Sequence, residues 1–213
     1  MWGLAPSLLN VFSEHVQETR SEQRSTTHAK VLASAERLFR SRGFAQTTVR
    51  DIAADAGVSA GTVMGVGDKD GLLVAVFDDW ISTVHRQRVE GQSQSQAVNI
   101  DVGDVVDAVV ALVVPFIEYF ARDLALSREY AAIVVRGNHG AVLFDQLGPV
   151  LIGEIAEVLG CDGRSGNDAF ETAEAVYFAY VGLLLAGASR GPAGDEVDMV
   201  RRVVERIVCP TRK

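Results

Sequence analysis

The sequence predicts an all-α protein, and three observations carry that expectation. Apolar residues recur at the helical spacing of 3.6 rather than in the alternation of strands, and most of the periodic segments are bounded by Gly, Pro or Asn. Thr48-Val49-Arg50-Asp51 also spells a capping box, with a hydroxyl first and a carboxylate three residues on. At 213 residues and 48% hydrophobic, the chain can bury one large core or join a small domain to a larger one.

Residues 1–27 read as a polar, irregular, flexible extension. From His28, Val31, Leu32, Ala35, Leu38 and Phe39 form one face of a helix, with Arg40 and Arg42 in its last turn and Gly43 as its stop. The capping box at Thr48 starts a second helix that ends near Gly57. Ser59 then caps a short third helix, Ala60 to Val66, which closes a small three-helix domain over residues 28–70.

Residues 71–213 read as a larger helical domain. Its first helix, Gly71 to Arg88, places Leu72, Val76, Trp80 and Val84 near one face, and the Gln/Ser-rich stretch from Gly91 to Ala97 reads as a link. Asp101 to Asp123 contains Pro115, which cannot donate to the carbonyl of Ala111 and is expected to kink the helix. Leu124 to Arg136, Ala141 to Leu159, Asp168 to Ser189 and Asp195 to Val208 complete the expected set.

Net charge is −8, but it is unevenly spread. Residues 21–73 hold seven basic against six acidic side chains, and residues 74–213 hold 12 against 20. A nucleic-acid partner is therefore compatible with the N-terminal part alone. Cys161 and Cys209 lie far apart with no metal-ligand spacing, so neither zinc nor a disulfide framework is expected, and no cofactor is implied. The apolar run from Ala175 to Ala188 stops at about 14 residues, short of the roughly 18 that a membrane helix needs. The opening MWGLAPSLLNVF has no basic lead, so no secretory signal is expected and a cytoplasmic location fits.

Gly57-Val58-Ser59-Ala60-Gly61 matches the spelling of a serine hydrolase elbow, yet an elbow needs a buried strand before it. Val49 to Ala56 has helical spacing and a cap instead. Gly65-Val66-Gly67 with Gly71 likewise misses the dinucleotide fingerprint by one residue and has no strand before it. No catalytic constellation emerges, and the chain is not expected to be an enzyme.

A helix-turn-helix needs a small residue where its helices cross, a turn glycine and apolar residues that lock the angle. Ala53, Gly57 and the set Ile52, Ala56, Val58, Val63 and Val66 supply these. The stretch Lys30 to Trp80, KVLASAERLFRSRGFAQTTVRDIAADAGVSAGTVMGVGDKDGLLVAVFDDW, resembles the N-terminal domain of TetR-family transcriptional regulators. The resemblance covers about a quarter of the chain. It implies a homodimeric repressor of double-stranded DNA operators, with a C-terminal ligand-binding and dimerisation domain whose small-molecule effector weakens DNA binding.

Carried over by position, DNA contacts would fall on Thr48, Arg50, Ser59, Gly61, Thr62, Met64 and Lys69. Where the family usually ends this helix with an aromatic-rich Leu-Tyr-x-x-Phe, the present chain has Val63-Met64-Gly65-Val66-Gly67. Phe116, Tyr119, Phe120, Tyr130, Phe144 and Tyr177 are the candidates to line a pocket for an apolar or aromatic effector. Tyr180, Leu184, Val200 and Val204 lie on the C-terminal apolar stripes where the family implies the dimer interface. A second reading is a helical carrier or enzyme for an apolar ligand, its helix-turn-helix degenerate and no longer bound to DNA.

Overall fold

The computed structural model describes residues 7–92, 102–137, 139, 147–161, 163–190 and 196–209. Among them are nine helices and no strand: α1 (Ser7–Arg42), α2 (Val49–Ala56), α3 (Ala60–Val66), α4 (Lys69–Gln92), α5 (Val102–Arg122), α6 (Leu124–Arg136), α7 (Gly148–Gly160), α8 (Gly166–Arg190) and α9 (Glu196–Val208). The chain divides into two compact units, residues 1–72 and 73–213.

In the first unit, α1 buries Val31, Leu32, Ala35, Leu38 and Phe39 against Ile52 and Ala53 of α2 and Val63 of α3. Gly43, at φ +85°, ends α1 in the left-handed region that a side chain would strain. The wholly buried Thr47 then closes the loop, its hydroxyl within hydrogen-bond reach of the Leu38 carbonyl (3.2 Å) and the Gly43 carbonyl (2.9 Å). An Arg37–Asp55 ion pair joins α1 to α2.

α1 begins at Ser7, so the irregular extension expected over residues 1–27 is helical from that point on. The reason is local. No Gly or Pro interrupts Ser7–Arg42, and once its packed half is formed, propagation gains one hydrogen bond per residue fixed. Thr26 and Thr27 fit this helix by donating their hydroxyls to the Glu22 and Gln23 carbonyls.

In the second unit, α7 packs along α8, while α9 lies on α5 and α8. Apolar residues of α5, among them Val105, Val109, Val113 and Phe116, are buried almost completely. Pro115 lies inside α5 as expected, and Asp123 caps α6 by accepting from the Leu126 N–H at 3.0 Å. Pro149 opens α7, where a missing N–H costs nothing. Residues 141–146, about the first third of the helix expected from Ala141, lie outside the described residues, as does most of the expected 91–97 link. Gly91 and Gln92 of that link are helical, the last residues of α4.

One expectation needs correcting. Gly166–Ala186 within α8 is long and apolar enough to cross a membrane by length and composition, at a mean hydropathy of 1.3. The uninterrupted run from Ala175 to Ala188 is shorter because Glu174 precedes it, whereas the helix as a whole extends through that charge. A third of that segment is buried inside the protein, and core helices of water-soluble proteins meet the same criterion.

Candidate nucleic-acid interface and ligand core

The helix-turn-helix is built on two caps and one turn. Thr48 caps α2: its hydroxyl accepts from the Asp51 N–H at 3.2 Å and donates to the Asp51 carboxylate at 2.6 Å, which also accepts the Thr48 N–H at 2.9 Å. These bonds hold the Asp51 carboxyl below the usual carboxylate range, with Arg42 adding to the effect. Gly57, at φ +68°, turns the chain, and the Val58 N–H returns to the Ala53 carbonyl at 3.0 Å. Ser59 caps α3 by accepting from the Thr62 N–H at 3.0 Å.

The caps differ in what they leave over. The Thr48 hydroxyl proton is committed to Asp51. Ser59 and Thr62 share a single 2.8 Å bond between two hydroxyls, so one of their two protons remains available for a phosphate oxygen. Arg50 is exposed and makes no ion pair among the described residues. Arg37, Arg40 and Arg42, by contrast, face Asp55, Glu36 and Asp51. Lys69 reaches back to the loop after α1, its Nζ 4.3 Å above the Phe44 ring.

The outward face of α3 carries Gly61, Met64 and Gly65, with Met64 54% exposed. A Cβ added at Gly65 would meet nothing within 4 Å, and one at Gly61 only the Ser59 hydroxyl at 3.7 Å. Protein packing therefore does not require either glycine. Beside this face, between α3 and the stretch of α1 around residues 23–28, lies a cleft of about 660 Å³ lined by residues that include Arg24, His28 and Thr62. His28 carries no signal of this role in the sequence, where the residues before it read as a loose extension.

In the second unit the aromatic candidates converge. Tyr130 stacks on Phe77 with ring centroids 4.3 Å apart, Trp80 stacks on Tyr119 at 3.6 Å, and Phe116 and Phe120 meet these rings edge-on. Tyr177 is buried as well, while Phe144 lies outside the described residues. Phe77 and Trp80 were not among the expected pocket residues. They come from α4, whose apolar face was legible but whose partner helix was not.

Polar groups sit within this apolar core. The Tyr130 hydroxyl and His85 Nδ1 are buried without a hydrogen-bond partner among the described residues. Burial is the main cause that pushes the His85 imidazole down to about 4, with the Arg88 guanidinium adding to it. Burial likewise drives the Tyr130 phenol above its ordinary value. Arg88 donates to the Leu112 carbonyl at 3.1 Å and to Glu154 at 2.6 Å, tying α4 to α5 and α7.

Tyr180, Val200 and Val204, expected at a dimer interface, are buried within the single chain, because α9 lays its apolar stripe on α5 and α8. Leu184 is half-buried. The large apolar residues that α8 leaves exposed are Phe170 and Phe178, at 47% and 64%. Among the described residues no group of His, Cys, Asp and Glu could hold a metal ion.

The sequence model of the family described as bacterial regulatory proteins, tetR family, matches residues 31–76, the span from α1 into α4. No curated protein matches the chain. Solved structures of TetR regulators share its fold. FadR of Thermus thermophilus, a TetR-family repressor in complex with lauroyl-CoA, aligns over 87% of this chain and 96% of its own, with a TM-score of 0.66 at 20% identity. A TetR regulator from a Rhodococcus species covers 90% of this chain and all of its own, with a TM-score of 0.60 at 19% identity. FadR of Bacillus subtilis, in complex with stearoyl-CoA, covers 86% of this chain and 99% of its own, with a TM-score of 0.55 at 15% identity. A capped helix-turn-helix whose residues 31–76 match the tetR family model is followed by a helical unit, and the chain as a whole has the fold of solved TetR regulators.

Proposed function

We propose that the protein is a homodimeric, operator-binding repressor that a small apolar or aromatic ligand releases from DNA, with no catalytic role. The observation that carries the reading is the α2–α3 pair. Its exposed face offers Arg50, the spare hydroxyl proton of Ser59 and Thr62, and the Met64 side chain, which suits phosphate contacts and a thymine methyl. Thr48 would join them only by giving up its bond to Asp51. Lys69 would act from its hold on the Phe44 ring, and Gly61 would let the DNA backbone approach.

The effector would enter the second unit near Phe116, Tyr119, Phe120, Tyr130 and Tyr177, where apolar walls surround two buried polar groups. Both FadR structures hold acyl-CoA esters, so lauroyl-CoA and stearoyl-CoA are the first compounds to test. A second copy would cover Phe170, Phe178 and the exposed edge of Leu184 on α8.

Sequencing the genomic fragments that the chain retains, then adding acyl-CoA esters or aromatic acids to the retained complex, tests the whole reading. Sequence-selective retention and release by one compound class are expected. Phe178→Arg should reduce the dimer seen by light scattering and weaken retention with it. The bare outer face of α3 favours a second reading, a helical carrier or enzyme for an apolar ligand whose helix-turn-helix no longer binds DNA. Absence of any retention at low salt would establish that one instead.

A further inference from the structure

The α1 helix continues past the part of it that packs on the helix-turn-helix, and its wall over Gln23, Arg24, Thr27 and His28 faces Thr62 and Gly65 of α3 across the 660 Å³ cleft. Among the described residues no carboxylate lines this cleft. The described residues bring to it an amide, a guanidinium, an imidazole and two hydroxyls, and among them the sizeable apolar side chain is Val66. That chemistry suits an anionic, oxygen-rich strand far better than an apolar molecule.

The cations of α1 fall into two sets. Arg37, Arg40 and Arg42, in the packed half, are matched to carboxylates of the same unit. Arg24, at the cleft, is exposed and has no ion pair among the described residues. On the α3 side, Gly65 has no side chain to close the floor, and Thr62 shares the hydroxyl proton left over from the Ser59 cap.

We propose that this cleft seats the sugar–phosphate backbone of duplex DNA beside the groove that α3 enters, with Arg24 and His28 as phosphate-contacting residues supplied by α1. The proposal rests on the reading of α3 as the DNA-facing helix. It makes the stretch of α1 over residues 23–28 a helical wall that fixes the register of the duplex without reading bases. It also supplies affinity that the donor-poor face of α3 does not.

The test is the salt dependence of the full chain's binding to a fluorescent mixed-sequence duplex, because each phosphate contact contributes about 0.9 to the log–log slope. Arg24→Gln with His28→Gln should weaken binding and lower the slope by about one per protomer. Gln23→Lys should raise affinity and slope by a comparable step. Ala33→Lys adds the same charge about 15 Å further along α1 at 1.5 Å per residue, and should leave the slope near its native value.

Equal gains from Gln23→Lys and Ala33→Lys would show an effect of net charge alone and overturn the proposal. So would a slope unmoved by the cleft variants while Arg50→Gln lowers it, an outcome that leaves the operator-binding reading intact. A native chain with no salt-dependent binding would overturn both.

Discussion

Lys69, the first residue of α4, holds its ammonium 4.3 Å above the ring of Phe44 and 3.4 Å from the Ala45 carbonyl oxygen. Phe44 in turn meets Phe39 of α1 with ring centroids 5.2 Å apart. The charge at the start of α4 is thereby fixed to the loop between α1 and α2. Lys69→Gln should cost about 0.5–1 kcal/mol of stability through the lost cation–π contact and should lower the salt slope of DNA binding by about one. Phe44→Leu should cost comparable stability but keep the charge, so the slope should remain. Thermal melts and fluorescence anisotropy on the same samples separate the two effects.

The capping box gives a second expectation. Thr48→Ala removes an acceptor for the Asp51 N–H and should destabilise the protein by about 1 kcal/mol, whereas Thr48→Ser should recover most of the loss. Urea unfolding reads both. Because the Thr48 hydroxyl proton is committed to Asp51, the change should affect stability more than DNA affinity.

His85 makes stability depend on pH in a defined direction. Its folded value lies near 4 and its unfolded value near 6.5, so the unfolded chain takes up a proton first as the solution is acidified. The contribution is complete above pH 6.5, shrinks as pH falls towards 4 and is level below that. On the order of 3 kcal/mol is involved, taking 1.36 kcal/mol for each pH unit between the two values. His85→Leu should flatten the urea midpoint over this window relative to the native chain. A native midpoint that rises relative to that of His85→Leu as pH falls would contradict the buried, neutral imidazole.

Arg88 and Glu154 are largely buried, at 15% and 12% exposure, so losing one partner strands the other. Glu154→Ala should destabilise by about 3–5 kcal/mol, while Arg88→Met with Glu154→Leu together should be far milder. The double variant still leaves the Leu112 carbonyl without its Arg88 donor, so full recovery is not expected. Chemical denaturation of the three proteins decides it.

The helix-turn-helix was legible because its signals are local: a capping box, a turn glycine and an apolar stripe each act within a few residues. Pro115 inside its helix and the boundaries of α6 could be read for the same reason. What could not be read depends on which helices meet. The α9 stripe of Val200 and Val204 looks the same in sequence whether α5 and α8 cover it or a second copy does. Trp80 and Phe77 joined the aromatic cluster only once α4 was placed beside α5 and α6. The helical start of α1 was missed because the sequence sets the helix boundary at the apolar face that begins after His28, even though no Gly or Pro opposes a helix before it.

The two unforced glycines on α3 make its outer face open to rewriting. Nothing inside the protein would resist Asn, Gln or Arg at Gly61, and leaving glycine there should return about 1 kcal/mol of helix propensity. A lineage, or a designer, could thus acquire base-specific donors one at a time without repairing the fold after each step. Gly65 is less independent, because it borders the cleft with α1, and a long side chain there would alter the neighbouring surface as well. New sequence preferences should therefore arise first at Gly61, with Gly65 following only where the contact beside it can change too.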